Sequence, residues 1–244
     1  MRTRSIASLL GACTFIPINA LAQAPADAAL YDEAVGTANA DDDVRLQLTA
    51  GAALAYGNAR NFAVNLGGNF AVREGSHAFV LEVGWIYGLA ATRDPVTNAF
   101  GDTVEGANNL TGRLRYDYFF DPDDAIFVVA RGRRDTFANL EPRLQAQAGY
   151  MRNLLNEPDH RFWGEIGVDL TYDDFAGDME VDVGGGLPST NRSIFSARIF
   201  LGYSNKLNEL LTWMSGLEAL WALARAPAGT DLAHWRFEWV NQFT

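Results

Sequence analysis

Arg113, Arg115, Arg131 and Arg133 fall at alternate positions in the stretch from Leu110 to Asp135, LTGRLRYDYFFDPDDAIFVVARGRRD. Asp117 shares their phase, and Glu82, Glu165, Asp169, Arg198, Glu218 and Arg236 hold the polar phase of other segments. Two kinds of chemistry are open to such a set. A pair of carboxylates at the right separation can run general acid–base hydrolysis. Charges of opposite sign enclosed in a confined interior instead pair with one another, because an ionised group taken out of water needs a partner. The arginines on the same phase favour the second reading. Arg113, Arg115, Arg131, Arg133, Arg198 and Arg236 are the partners expected for Asp117, Glu165, Asp169 and Glu218, together forming a charged network that fills a lumen.

Other chemistry has weaker support. His77 and His160 each sit at a short turn and His234 near the start of the last segment, and the one serine beside a turn histidine is Ser76. A catalytic triad is recognised by geometry rather than spacing, and solvated turn histidines are the simpler reading. Asp173, Asp174, Asp178, Glu180 and Asp182 crowd one loop. Calcium takes roughly six to eight oxygen ligands, but the loop has neither an EF-hand pattern nor a glycine-aspartate repeat. It is expected to be a solvated acidic loop. No metal, cofactor or catalytic residue is assigned, and the protein is read as non-enzymatic.

The elements that hold these residues are strands. Leu110, Gly112, Leu114, Tyr116, Tyr118 and Phe120 lie on one face and Thr111, Arg113, Arg115 and Asp117 on the other, which is the period of two of a β-strand. Asp121-Pro122-Asp123-Asp124 is turn chemistry, since proline presets one backbone angle and aspartate can bond its own backbone. The return segment alternates Ile126, Val128 and Ala130 with Phe127, Val129, Arg131 and Arg133. A hairpin results.

The same alternation marks ten segments: 44–56, 62–73, 79–89, 110–120, 126–133, 144–150, 162–173, 195–204, 211–221 and 235–243. The connections after the second, fourth, sixth and eighth are short, whereas those after the third (90–107), fifth (135–142), seventh (174–192) and ninth are longer. Outer-membrane barrels alternate short periplasmic turns with longer outer loops in this way. The expected fold is all-β: an antiparallel, up-and-down transmembrane β-barrel of about ten strands over 44–244, with both ends in the periplasm.

Targeting signals agree. Arg2 and Arg4 precede an apolar run from Ile6 to Ile18, and Ala20-Leu21-Ala22 is a cleavage signal before Gln23, so residues 1–22 read as a signal peptide. Residues 23–43, rich in alanine and aspartate, read as a flexible periplasmic lead-in. Cys13 lies in the leader, so the mature chain has no thiol chemistry. Taking Arg2 and Arg4 from the 19 basic residues, against 30 acidic ones, leaves a net charge of −13, which argues against nucleic acid. No later apolar run reaches the roughly 18 residues of a spanning helix.

A soluble ligand-binding barrel also alternates, with its apolar face inward. Aromatic placement favours the membrane. Tyr56, Trp85, Tyr87, Tyr172, Trp221 and Trp235 gather toward one rim of the apolar face and Tyr118, Phe120, Tyr150, Phe162, Tyr203 and Trp213 toward the other. Such girdles belong at lipid interfaces. The expected partners are outer-membrane lipid and the barrel-assembly machinery.

From about Asn109 to Trp221 the chain resembles DUF481, the family of salt-induced, YdiY-like outer-membrane proteins. The likeness lies in LRYDYFF, RGRRDTFANLEPRLQAQAGYMRN, HRFWGEIGVDLTYDDF and SARIFLGYSNKLNE. It implies an outer-membrane barrel, in a structural or narrow-pore role linked to salt, osmotic or envelope stress, and carries over no catalytic residue. An outer-membrane enzyme acting on lipid or envelope polymer and a soluble periplasmic binding barrel are the alternatives. Family members run about two strands further and end in an aromatic residue, whereas this chain ends Gln242-Phe243-Thr244, a departure that bears on how the barrel closes.

Overall fold

The computed structural model describes residues 43–56, 59–92, 97, 99–136, 140–157, 159–175, 181–182, 188–189, 191–208, 211–226 and 235–243. The leader, all but Asp43 of the lead-in, and His234 lie outside them. Ten long strands run in chain order: β1 (Asp43–Ala55), β2 (Ala59–Glu74), β3 (His77–Thr92), β4 (Val104–Phe119), β5 (Asp124–Asp135), β6 (Leu140–Asn156), β7 (His160–Phe175), β10 (Asn191–Asn208), β11 (Leu211–Ala226) and β12 (Trp235–Phe243). Between β7 and β10, β8 (Val181–Asp182) and β9 (Pro188–Ser189) form a small antiparallel pair. No helix among the described residues is long and apolar enough to cross a membrane, which says nothing of a crossing by strands.

Each long strand pairs antiparallel with its sequence neighbour, and β7 pairs with β10 across the small hairpin, giving one ten-stranded up-and-down sheet. β1 and β12 are its two edges, with no pairing between them among the described residues. Antiparallel order is thus established and closure is not. The sheet is nevertheless strongly curled, since side chains from β4, β7 and β10 meet on its concave side.

The strands are longer than the alternation suggests. Residues 90–92 and 104–107 pair within β3 and β4, and β6 begins at Leu140 inside the expected 135–142 loop. These ends read Ala-Ala-Thr, Val-Glu-Gly-Ala and Leu-Glu-Pro, in which small, charged and proline residues leave no apolar rhythm. Register shifts at Gly88/Leu89 and between Arg133 and Asp135 fall in the same zone. The short connections sit at the opposite end. Gly75 has φ 54°, a left-handed conformation that suits a two-residue hairpin and that glycine adopts without a Cβ clash. At the central hairpin Asp121 N–H donates to the Asp124 carbonyl at 3.4 Å and Asp124 N–H returns to the Asp121 carbonyl at 3.3 Å, closing the Asp-Pro-Asp-Asp turn.

Burial is the reverse of a water-soluble core. Ile199 is 51 % exposed and Val168 42 %, whereas Arg198, Glu165 and Asp169 are each 1 % exposed. The outer face displays Leu46, Leu48, Leu114, Val128, Ile166, Leu170, Leu201 and Leu217. Aromatic residues bracket it. At the long-loop end Trp85 stacks on Tyr87 with centroids 5.7 Å apart and Trp221 on Trp235 at 5.3 Å; at the short-turn end Tyr203 meets Trp213 edge-on at 5.4 Å.

The concave side also holds an apolar cluster near the short turns, made of Ala71, Ala78, Val80, Phe119, Ala125, Phe127, Val129, Met151, Trp163 and Phe200. Glycine makes room for it. A Cβ on Gly202 would fall within the indole of Trp163, its register partner, and one on Gly149 would strike Phe127.

Two measurements check this arrangement. Val168→Arg and Ile199→Arg should each cost about 2–4 kcal/mol in a bilayer, where an outward charge meets hydrocarbon, whereas Gln47→Arg on the concave side should cost far less. Thr171→Arg is no control for the concave side, because Thr171 is buried and donates to Asp169 Oδ1 at 2.8 Å. Gly202→Val should cost about 1–3 kcal/mol by overpacking Trp163, and Gly132→Ala, whose Cβ meets Leu144 Cδ2 at 3.8 Å, should be nearly silent in the same urea titration.

Candidate functional site

Strand periodicity delivers the charged side chains to the concave side, and register with strand tilt decides which of them meet. Arg115 on β4 grips Asp117 two residues along the same face, with Nη2 to Oδ1 at 2.7 Å and Nε to Oδ2 at 2.9 Å. Its Nη1 lies 3.0 Å from Oε1 of Glu165 on β7. Glu165 also accepts from Arg198 Nη1 on β10 at 2.5 Å, and Arg198 Nε donates to Glu218 Oε1 on β11 at 2.6 Å. A chain of alternating charge, Asp117, Arg115, Glu165, Arg198, Glu218, therefore crosses the interior from β4 to β11. Every member is at least 94 % buried by side chain.

Arg113 stands 3.9 Å from Glu82, a long ion pair. Arg133 bonds Asp135 at 2.7 Å. Arg131 and Arg236 line the cavity described below. Asp169 departs from the expected network: its carboxylate accepts from Gln145 and Gln147 on β6, the latter at 3.0 Å, and from Thr171. Neutral donors at the register positions reach it first, since Gln147 pairs directly with Asp169 across β6 and β7.

The apolar cluster floors this network and is coupled to it. The Arg115 guanidinium lies 4.6 Å from the Phe127 ring centroid, and Arg198 lies 5.5 Å from Phe127 and 5.3 Å from Phe200, so the cations sit on aromatic faces. At the short-turn rim, Arg161 stacks 4.7 Å from Trp163 while donating to Asn153 Oδ1 at 3.1 Å, and Arg73 lies 3.9 Å from Phe119. Trp163, Phe127 and Phe200 were not among the expected site residues. The signal was available: each falls on the polar phase of its strand, and Trp163 faces a glycine across the register.

Above the network, toward the long-loop end, lies a cavity of about 760 Å³. Arg113, Arg131, Arg133, Arg143 and Arg236 line it with Glu82, Glu218 and Glu238 and with Gln47, Thr49, Asn69, Thr111 and Gln145. Gly67 and Gly84, direct register partners, also line it. Residues of β1 and β12 share this one cavity although the two strands are not paired.

The remaining candidates are dispersed. His77 Nδ1 lies 2.7 Å from the Tyr116 hydroxyl and His160 Nδ1 3.2 Å from that of Tyr203, each in an aromatic setting at the short-turn end. Asp173 is held by Arg143 Nε at 2.5 Å and Arg192 Nη2 at 2.5 Å. Asp174 pairs with Asn191 across the register, Asp182 lies in β8, and Asp178 and Glu180 are outside the described residues. Among the described residues no group of three or more His, Cys, Asp or Glu is placed to hold a metal ion.

Arg198→Met should destabilise the protein by about 3–5 kcal/mol in urea unfolding, because it strands Glu165 and Glu218 without their shared cation. Arg152→Met, on a 57 % exposed side chain at the short-turn end, should shift the same midpoint by less than about 1 kcal/mol.

No curated protein and no solved structure matches the chain. The family model described as "Protein of unknown function, DUF481" matches residues 48–232, from the first strand through the connection before the last. That match takes in every strand that supplies the buried network and the cluster beneath it, and the chain belongs to the DUF481 family.

Proposed function

We propose that this protein is a non-enzymatic outer-membrane β-barrel whose interior is filled rather than open. Residues 1–22 act as its export leader, and β1 meets β12 to close the wall. One observation carries the reading: side chains that hydrocarbon would accept face outward and ionised side chains are buried within. In water that outer face would be an apolar surface far larger than monomeric proteins expose. In lipid it is at equilibrium with its surroundings, and a closed wall would satisfy the backbone groups that β1 and β12 otherwise leave unpaired.

The interior argues for a structural or very narrow pore, acting in tolerance of salt, osmotic or envelope stress. Small barrels of eight strands have just enough internal width for side chains to fill, and ten strands add little. Here Phe119, Phe127, Met151, Trp163 and Phe200 occupy the short-turn end and the Arg115–Glu165–Arg198 bridge spans the middle. In a closed barrel these two layers would leave little room for a water-filled channel.

Fractionation and electrophoresis test the location. The mature chain, starting at Gln23, should appear in outer-membrane fractions and migrate faster before boiling than after; recovery in the detergent-free periplasm would sink the membrane reading. Planar bilayers test the interior. Unmodified protein should show small or absent single-channel current, with any residual current altered by Arg131→Ala or Glu165→Ala. Large, steady conductance would overturn the filled interior.

A further inference from the structure

Part of the cavity wall is bare backbone. Strand register sets Thr49, Gly67, Gly84, Thr111, Arg133 and Arg143 in a single row from β1 to β6, and all six line the cavity. Glycine inside a strand weakens it and often marks a place where a ligand or another backbone comes close. Here two glycines are direct partners on adjacent strands. Gly202 and Gly149, deeper in the interior, have their space taken by Trp163 and Phe127. The nearest atom to a Cβ built on Gly67 would instead be Thr49 Oγ1, at 2.5 Å, and for Gly84 it would be Thr111 Oγ1, at 2.9 Å, both on the same wall. No ring of the described residues fills this recess, and a threonine hydroxyl stands at each end of it.

The charges around the recess are already matched. Arg143 holds Asp173 through Nε at 2.5 Å and Nη2 at 3.0 Å, Arg133 bonds Asp135 at 2.7 Å, and Arg113 stands 3.9 Å from Glu82. A solute of net charge would have to compete with these pairs, whereas a neutral one leaves them in place. Hydrogen-bonding capacity remains beside them. Glu82 Oε1 and Arg133 Nε are buried with no hydrogen-bond partner among the described residues, one an acceptor and the other a donor. A hydroxyl group serves both, since it donates and accepts. Asn69, directly opposite Glu82 in the next row, adds an amide with the same double capacity. With neighbouring strands about 4.8 Å apart, the stretch from Thr49 to Thr111 spans about 14 Å of wall. The cavity volume of about 760 Å³ falls in the range of small-molecule sites.

We propose that the recess over Gly67 and Gly84 binds a ring of a small, neutral saccharide. The face of the ring lies against the bare backbone, and its hydroxyl edges meet Thr49, Asn69, Glu82 and Thr111. Each polar group on this wall then gains a partner without any ion pair being broken. The inference rests on the closed-barrel reading, because a wall closed between β1 and β12 is what confines a solute over the recess.

Maltose is the probe, titrated calorimetrically into the mature protein in lauryldimethylamine oxide, a detergent without a sugar headgroup. Saturable binding is expected, with an affinity that sodium chloride leaves unchanged because no net charge is exchanged. Gly84→Ala puts a methyl group in the recess and Glu82→Gln removes the charged acceptor, and each should lower affinity about tenfold. Gly164→Ala, whose Cβ meets Leu201 Cδ2 at 3.6 Å on the outer face, should leave it unchanged. Heat-shifted gel mobility, run on every sample, reports the barrel separately, and Glu82→Gln decides the matter if Gly84→Ala loses its shift. Loss of the shift in unmodified protein would overturn the barrel and the recess together. A shifted protein that binds no maltose, binds it more weakly as salt rises, or binds it equally after the cavity substitutions would overturn the saccharide site alone.

Discussion

Glu165 holds the interior together. A carboxylate with no exposure to water needs close, oriented cations, and Glu165 has two, Arg115 from β4 and Arg198 from β10. Those arginines are in turn held by Asp117 and Glu218 and rest on the faces of Phe127 and Phe200. The curvature of the sheet follows from this, because strands β4, β7, β10 and β11 must bend toward a common centre for the chain of charges to form. Burying ions is costly and repays little in net stability. What it supplies is geometry: each partner has one acceptable position.

The aromatic floor and the charged bridge are two halves of one solution to the same confinement. Guanidinium groups laid on rings are partly dehydrated without losing all their electrostatic contacts, and the rings gain a polar ceiling that keeps water from entering between them. Gly202 and Gly149 provide the room, since a Cβ on the first would strike Trp163 and one on the second Phe127. Above this, arginines and carboxylates line the cavity together. The concave side is thus graded along the strands, from an apolar end through a buried charge network to a polar cavity.

Much of this was legible in the sequence because a strand has a period of two, and a period of two needs no three-dimensional knowledge to assign faces. The ten strands, their antiparallel order, the Asp121–Asp124 turn and the phase of every network arginine follow from it. Partner choice does not. Phase says that Asp169 faces inward, but only register places Gln147 opposite it, so neutral donors rather than arginine reach its carboxylate. Trp163, Phe127 and Phe200 share the charged phase; the alternation places Phe127 beside Arg131 and Arg133, but phase alone does not show that the three rings gather into one cluster with glycines opposite. Strand ends rich in alanine and glycine were read as loops because residues without large side chains give no alternation, although backbone pairing continues through them.

The ion-pair bridge has a further consequence for the order of events in folding. Each hairpin closes over a few residues, so adjacent strands can register early and independently. Arg198 and Glu165 are separated by 33 positions, and the chain must close loops of that order before either charge is neutralised. Until β10 arrives, Glu165 lacks Arg198 and the bridge is incomplete, although Arg115 already has Asp117 within its own strand. On the proposed membrane reading, an incomplete bridge would set ions against hydrocarbon, and the nearly complete sheet would insert more readily than its fragments.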